Sequence, residues 1–402
     1  MNILFVHEVD WFRKVVFEIH SLPELLSSLG HRVYVVDFGS LHDRKHIFDF
    51  GTLRTKEFNN LSRAHVGSSV ELIRPGFIKA PFLDRASAFF THYFEIKKTI
   101  RDKKINAIVL YSVPTNGLQT ITLAKKYGVP VVFRSIDVIH MLVPRKILRP
   151  LVFSLEKYVY TYVDKILTLS PKLSDYVVRM GADKNKVELL PFGVDMSKFN
   201  PYVEAEELRG KLGIAGDDKV IVYVGTLFEF SGLDLYLKQF PAVLEEFPGA
   251  KLVIVGGGAL LEKLKELVIN LRLTENVILT GFQPFDMMPQ YINLADICIN
   301  PFEVNATTRD IIPGKIIQYL SCAKPVLATS LPGMISLLSG PERGVVYSNI
   351  DELAENTIKL LKDSRMVKTI GENGYRYVKN NHDEREIARR LDIILGQMIN
   401  TC

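Results

Sequence analysis

Leu252-Val253-Ile254-Val255-Gly256-Gly257-Gly258 is the stretch on which the reading of the fold turns. The four residues before the glycines are all apolar, with no polar alternation, and with Lys251 they make a run over residues 251–255. A strand of that kind must be covered on both faces, as in a parallel sheet flanked by helices. The pattern recurs outward from it. Residues 220–224 precede it, and residues 277–280, 297–300, 326–329 and 345–347 follow it. A second series occupies the first half of the chain, at residues 2–6, 33–37, 107–110, 131–133, 165–169 and 187–190. Helix-length segments separate the runs. Two such series predict an α/β fold of two doubly wound domains. The break is expected within residues 199–219, where Asn200-Pro201 precedes a polar stretch ending in Gly216-Asp217-Asp218. Residues 384–399 read as an amphipathic helix with no strand after it. The triple glycine is not a dinucleotide fingerprint. Leu261 stands where the third glycine belongs, and the strand lies in the second domain, which excludes a dehydrogenase reading.

The bulk properties agree with two packed cores. The chain has 402 residues, 47% hydrophobic and 24% charged, which is globular composition. Cys298, Cys322 and Cys402 form neither a disulfide framework nor a metal-ligand spacing, so a reduced, cytoplasmic setting is expected. Residues 1–8 carry no basic leader, and no run approaches the roughly 18 apolar residues of a membrane span. Any membrane contact is therefore expected to be peripheral. The net charge of +5 divides into +10 for residues 1–200 and −5 for residues 201–402. The first half either attracts an anionic surface or acceptor, or simply carries solvated lysines. No metal, no cofactor and no nucleic-acid partner is expected.

The segment from Asn300-Pro301-Phe302-Glu303 to Asp310-Ile311-Ile312-Pro313-Gly314-Lys315-Ile316-Ile317-Gln318-Tyr319-Leu320 carries the chemistry. A strand ends, a polar loop follows, and Pro313 is expected at the first helical position, where its missing N–H costs nothing. A helix start offers unpaired amides and a positive dipole end to a phosphate. Lys315 adds a full charge there, and Gln318 shares its face one turn on. A diphosphate at Gly314 and Lys315, with a ribose at Gln318, fits this spacing. A plain loop-to-helix junction with a surface lysine fits it as well.

A wider set of motifs resembles the family 4 glycosyltransferases with the GT-B fold, over nearly the whole chain. Thr168-Leu169-Ser170-Pro171-Lys172-Leu173 and Pro191-Phe192-Gly193-Val194-Asp195 with Phe199 resemble the family's crossover between domains. Val224-Gly225-Thr226-Leu227 with Ser231-Gly232-Leu233-Asp234 resembles V-G-R-L followed by K-G-x-D. Residues 252–258 with Val277-Ile278-Leu279-Thr280-Gly281-Phe282, and Asp310 with Gln318 at the spacing of paired glutamates, complete the series. The resemblance implies residues 1–200 as an acceptor-side domain, 201–383 as a sugar-nucleotide domain, and 384–402 as a helix returning to the first. It implies transfer of a sugar from a nucleotide-diphosphate donor of UDP or GDP type to a glycan or lipid-linked acceptor, with retention and without metal. Donor contacts are then expected from Gly225, Thr226, Phe282, Gln283, Arg309, Asp310, Pro313, Gly314, Lys315 and Gln318. Asp137, and next to it His140, are expected to contact donor sugar or acceptor.

The sequence also departs from the family. Thr226 and Ser231 replace an arginine and a lysine that grip the donor, and no Gly-Gly turn follows the first strand at Val6-His7-Glu8-Val9-Asp10-Trp11-Phe12. Two lost charged contacts would cost about 10²–10⁴ in rate. Pro313-x-Lys315-x-x-Gln318, which matches a P-x-K-x-x-E branch in all but its last residue, and Arg309 offer replacements. A catalytically weak homologue that binds a sugar nucleotide or partners another transferase is the alternative. In the first half a helical region is expected over residues 75–104, where Phe82, Phe89, Phe90, Tyr93 and Phe94 interleave with Lys79, Arg85, Lys97, Lys98 and Arg101; farther on, Met141, Leu142, Ile147, Leu148, Leu151, Val152 and Phe153 surround Arg145, Lys146 and Arg149. Peripheral membrane contact would suit that composition. Packing of the apolar groups onto the sheet would suit it too.

Overall fold

A computed structural model describes residues 1–39, 50–80, 83–143 and 145–401. Phe82 and Cys402 lie outside the described residues. The chain divides into two compact units, Met1–Phe192 with Glu384–Cys402, and Gly193–Asp383.

The first unit runs β1 (Asn2–Val6), α1 (Glu18–Ser28), β2 (Arg32–Val36), β3 (Gly51–Thr52), β4 (Lys56–Leu61), β5 (Val70–Arg74), β6 (Phe77–Ile78), α2 (Leu83–Asp102), β7 (Ala107–Leu110), α3 (Gly117–Tyr127), β8 (Val131–Ser135), α4 (Arg149–Tyr162), β9 (Lys165–Thr168), α5 (Pro171–Arg179) and β10 (Val187–Leu189). Its sheet has the order β10-β9-β8-β7-β1-β2-β5-β4. All neighbours are parallel except β4, which runs antiparallel to β5. Alternate residues of each strand face opposite ways, so the unit has two cores. Leu4, Val6, Ile108, Leu110 and Phe133 pack with Ile96, Ile121 and Val159 on one face. Ile3, Phe5, Ala107, Val109 and Val132 pack with Leu22, Leu26, Leu391 and Leu395 on the other.

The short elements between β2 and α2 escape the sequence pattern. Strand β4 reads Lys56-Glu57-Phe58-Asn59-Asn60-Leu61, mostly exposed at the sheet edge, so it needs no apolar run. The helical region expected over residues 75–104 is corrected at its start. Strand β6 occupies part of it, and Gly76 lies so close to β3 that a Cβ would meet the Thr52 carbonyl oxygen at 2.0 Å. Strand β8 reaches Ser135 because the polar Arg134 is fully paired inside the fold. Its Nε and Nη2 donate to Glu18 at 2.7 and 2.6 Å, and it also donates to the Leu190 and Pro191 carbonyls.

The second unit runs α6 (Glu206–Lys211), β11 (Val220–Val224), α7 (Leu233–Glu246), β12 (Lys251–Val255), α8 (Leu261–Asn270), β13 (Val277–Gly281), α9 (Met288–Asn293), β14 (Ile297–Asn300), α10 (Gly314–Ser321), β15 (Val326–Thr329), α11 (Pro332–Leu337), β16 (Val345–Ser348), α12 (Leu353–Lys362) and α13 (Ser364–Asn381). Its sheet, β13-β12-β11-β14-β15-β16, is parallel throughout. Strands β11, β14 and β15 are buried at every position, as their uniform apolar runs require.

The last helix, α14 (Glu384–Thr401), belongs to the first unit. Ile387, Leu391, Ile394 and Leu395 enter the core lined by Leu22, Leu25 and Leu26 of α1. His31 Nε2 lies 2.8 Å from Asp392 Oδ1, and Arg390 donates to the Leu189 carbonyl at 2.8 Å. Among the described residues no helix is long and apolar enough to cross a membrane.

Three buried histidines of the first unit are held neutral. Burial lowers His7 and His92 to about 3 and His20 to about 4. In the unfolded chain each takes up a proton near pH 6.5. Because folding depresses these values, they cost nothing above about pH 6.5; below it the unfolded chain takes up protons that the folded chain does not, so stability falls down to about pH 4 for His20 and about pH 3 for His7 and His92, at up to about 1.4 kcal/mol per pH unit for each group. Thermal melting across that range should show a falling midpoint, and His92→Gln should give a shallower acid slope than the wild type. A midpoint flat with pH would contradict the burial of these rings.

Candidate functional site

In the second unit the polar groups gather past the carboxyl ends of β11, β12 and β14. Gly225 follows β11 and Gly256 follows β12, and the two turns touch. A Cβ on Gly256, whose φ is +141°, would lie 2.0 Å from the Gly225 carbonyl oxygen. A Cβ on Gly258 would lie 2.6 Å from the Leu227 carbonyl. The glycines therefore serve close approach of backbone to backbone. Past β13, the Phe282 ring covers Gly257 and remains largely exposed, and Gln283 Nε2 donates to the Thr280 carbonyl at 2.9 Å.

Helix α10 starts at Gly314, so Pro313 is its N-cap, with extended φ/ψ, rather than its first helical residue. The chain is helical only once the proline's ring is past, and Gly314 keeps its amide at the helix mouth. Tyr319 fastens the helix to β11: its hydroxyl accepts from Val224 N–H at 2.7 Å and donates to the Val224 carbonyl at 3.2 Å. This places Lys315 over Gly225, where a Cβ would stand 3.4 Å from the ammonium. The Lys315 Nζ lies 3.7 Å from the Tyr223 ring centroid and 4.4 Å from that of Phe302. The rings attract it, yet burial still pushes its pKa well below that of a free lysine. No carboxylate forms an ion pair with it among the described residues.

Thr226 is exposed, and its carbonyl accepts from the Tyr223 hydroxyl at 3.1 Å. Ser231 is buried, and its Oγ has no partner among the described residues; the same holds for both side-chain polar atoms of Asn300 at the end of β14. Gly232 follows with φ +65°, so tight against β14's exit that a Cβ would meet the Pro301 carbonyl at 1.9 Å. Gln318 is half-buried on the turn after Lys315. Arg309 and Asp310 stand on the exposed loop before the helix, with Arg309 Nε 3.7 Å from Asp310 Oδ1. The Gly333 N–H holds that loop through the Arg309 carbonyl at 2.8 Å. The structure thus gathers Gly225, Lys315, Tyr223 and Phe302 and leaves Arg309 and Asp310 on the open loop. Sequence reading missed Tyr223, Phe302 and Tyr319, because apolar strand and helix patterns absorb tyrosine and phenylalanine without marking them.

In the first unit, Asp137 stands on the loop after β8. It is exposed, and the surrounding chain pushes its carboxyl upward while Lys14 opposes the push. His140 lies in a short turn beside α4. Its Nδ1 is 2.7 Å from Glu156 Oε2 and 3.2 Å from the Tyr176 hydroxyl. Glu156 was not singled out from the sequence. It sits among apolar residues on α4, and nothing local distinguishes it from a solvated helix carboxylate.

Comparison with known proteins covers both units. The Glycosyltransferase Family 4 domain matches residues 19–198, and the Glycosyl transferases group 1 domain matches residues 204–377. The alpha-monoglucosyldiacylglycerol synthase of Streptococcus pneumoniae is 27% identical over 335 residues, which are 78% of this chain and 72% of that protein. A GDP-mannose-dependent alpha-(1-6)-phosphatidylinositol monomannoside mannosyltransferase of Mycolicibacterium smegmatis is 29% identical over 216 residues, 52% of this chain. The match spans 56% of that relative's length. Among solved structures, a sucrose-phosphate synthase from Thermosynechococcus elongatus superposes over the whole of both chains with a TM-score of 0.76 at 18% identity. Anabaena HepE in complex with UDP covers 99% of this chain and all of its own, with a TM-score of 0.74 at 15% identity. The shared fold is GT-B.

An enclosed ammonium without a carboxylate partner costs stability while the site is empty. Lys315→Met keeps the stem's packing and removes the charge. Its ligand-free melting midpoint should equal or exceed that of the wild type, by about 0.5–2 kcal/mol in stability. A marked loss would mean that the ammonium is already compensated.

Proposed function

We propose that this chain, which belongs to the family 4 glycosyltransferases with the GT-B fold, moves a sugar from a nucleotide-diphosphate donor to a lipid-linked or glycan acceptor. The observation that carries this reading is Lys315: a half-buried lysine at a helix start whose enclosed ammonium faces Gly225 and is framed by two rings, with no anionic partner among the described residues. A diphosphate supplies the missing negative charge. The relatives support the donor class, since one is named for dependence on GDP-mannose and a neighbour of the same fold was solved with UDP.

In this reading the Lys315 ammonium and the first amides of α10 meet the diphosphate as its negative charge grows on departure. The leaving phosphate oxygen takes the acceptor's proton, and the sugar is transferred with retention and without a metal. Gln318 bonds the ribose, and Phe282 and Gln283 flank the base. Ser231 Oγ and the Asn300 amide, buried and without a partner among the described residues, supply neutral hydrogen bonds where the family's lysine would have given a charged one. Residues 201–383 then act as the donor domain and residues 1–200 as the acceptor domain, with Asp137 and His140 in contact with sugar.

The acceptor reading rests on the surface of the first unit. Leu142, Ile147 and Leu151 are 63%, 86% and 60% exposed, beside the exposed Arg145 and Lys146. Phe90 and Phe94 of α2 are exposed as well, with Lys98 near them in sequence. Val152, by contrast, is buried in the core and leaves the candidate patch. Bulky apolar groups next to cations suit the headgroup boundary of an anionic bilayer, where each cation adds about 1 kcal/mol. Two relatives are named for diacylglycerol and phosphatidylinositol substrates. A cytoplasmic enzyme that visits the membrane face fits these features.

A thermal-shift panel of UDP, GDP, ADP and their sugar conjugates tests the donor. The correct nucleotide at about 100 Kd should add about 2.7 kcal/mol of stability. Lys315→Ala should weaken nucleoside-diphosphate binding by roughly tenfold or more and leave the nucleoside nearly unaffected; equal loss for both would remove the lysine from the phosphate. For the acceptor, co-sedimentation with anionic vesicles at low salt should fall when Ile147 and Leu151 are changed to serine. No binding by the wild type would point to a soluble glycan.

A further inference from the structure

Glu156 is wholly buried on α4, yet its carboxylate is among the most heavily hydrogen-bonded groups of the first unit. Its Oε1 accepts from the Ile139 N–H at 3.2 Å and from the Tyr160 hydroxyl at 2.7 Å. Its Oε2 accepts from the His140 N–H at 3.3 Å and lies 2.7 Å from His140 Nδ1. A carboxylate only accepts, so Nδ1 must carry the proton and donate it. The Tyr176 hydroxyl stands 3.2 Å from the same nitrogen, and the Phe153 ring meets the imidazole edge-on at 5.2 Å between centroids. The ring is therefore held on three sides by Glu156, Tyr176 and Phe153, and the turn that carries it is tied to Glu156 through two backbone amides. The other nitrogen, Nε2, has no hydrogen-bond partner among the described residues. With Nδ1 protonated, Nε2 presents a lone pair.

We propose that Glu156 is a positioning residue that fixes His140 as the Nδ1–H tautomer, so that Nε2 accepts a hydrogen bond from a sugar hydroxyl. This rests on the glycosyltransferase reading for the identity of the hydroxyl. The hydroxyl keeps its proton in the bound state; the imidazole orients it. A loose histidine on an exposed loop would divide its time between tautomers and rotamers. One gripped at Nδ1 by a buried carboxylate loses neither orientation nor proton placement while substrate binds. Tyr160 has the further part of holding Oε1, which leaves Oε2 to the imidazole.

Nitrogen chemical shifts of 15N-histidine-labelled protein read the tautomer without any substrate. The wild type should show His140 protonated at Nδ1, and Glu156→Gln should move a large share of the population to Nε2–H. A wild-type Nε2–H tautomer, or a tautomer unchanged by Glu156→Gln, overturns the proposal. In turnover, His140→Ala and Glu156→Gln should each lower kcat about tenfold or more, and the double variant should be no slower than His140→Ala alone. Losses that multiply would give Glu156 a purely structural role and overturn the proposal. Should Glu156→Gln fail to fold, Tyr160→Phe replaces it in both experiments, with a smaller expected shift in the same direction. Donor hydrolysis separates the source of the hydroxyl. If His140→Ala slows hydrolysis and transfer alike, the hydroxyl belongs to the donor sugar; if it slows transfer alone, it belongs to the acceptor. If no nucleotide sugar binds at all in the thermal-shift panel, the proposed function falls, whereas the tautomer result stands or falls by itself.

Discussion

A strand covered on both faces has no free surface along its length. That constraint governs the inner strands of the two large sheets of this protein. Val220–Val224, Ile297–Asn300 and Val326–Thr329 bury every residue, so any polar chemistry must be expressed where the strands stop. Parallel direction puts all of those stops at one edge of each sheet. The crowding at that edge explains the glycines. Gly225 and Gly256 sit backbone against backbone, and a side chain on Gly256 would collide with the Gly225 carbonyl before any ligand arrived. It also explains the clasp between Tyr319 and Val224, which sets the depth at which α10 begins and hence where Lys315 stands.

The enclosed cations of this protein are not all compensated. In the first unit, Arg134 is matched by Glu18 and two carbonyls, and Arg74 is matched by Asp37 and Asp10. These ions are complete in themselves and lock α1, β2, β5 and β8 together. In the second, Lys324 donates to the Asn293 and Ala295 carbonyls, whereas Lys315 stands among aromatic faces and a glycine turn, with no ion-pair partner among the described residues. A compensated ion gains little by meeting a ligand, because its field is already spent on its partner. An uncompensated one keeps its field for whatever arrives. The difference marks Lys315, rather than the better-paired arginines, as the cation poised for an anion.

Much of the architecture was legible in the sequence because burial on both faces leaves an unmistakable uniform run. The strands at 2–6, 107–110, 220–224, 251–255, 297–300 and 326–329 are found at those bounds. Strands β4 and β5 were not legible, since an exposed edge strand such as β4 carries no such run and β5 contains Glu71 and Arg74. The Lys315 segment could be read from Pro, Gly, Lys and Gln in order, but its aromatic frame could not: Tyr223 and Phe302 come from different strands' exits and meet only in three dimensions. Pro313 shows the limit of a local rule, because a proline that could begin the helix instead caps it. Glu156 and Tyr176 reach His140 across 16 and 36 residues of chain, a distance that no local pattern bridges.

The first unit is discontinuous in sequence. Its core admits Ile387, Leu391 and Leu395 beside Leu22 and Leu26, and all of the second unit lies between those two groups along the chain. Closing so long a loop is entropically slow to find even though its cost grows only logarithmically with length. During synthesis the second unit has all its residues before the first does. Until α14 emerges, the face of α1 that it covers stays apolar and bare, and the order in which the two cores become complete runs opposite to the order in which they are begun.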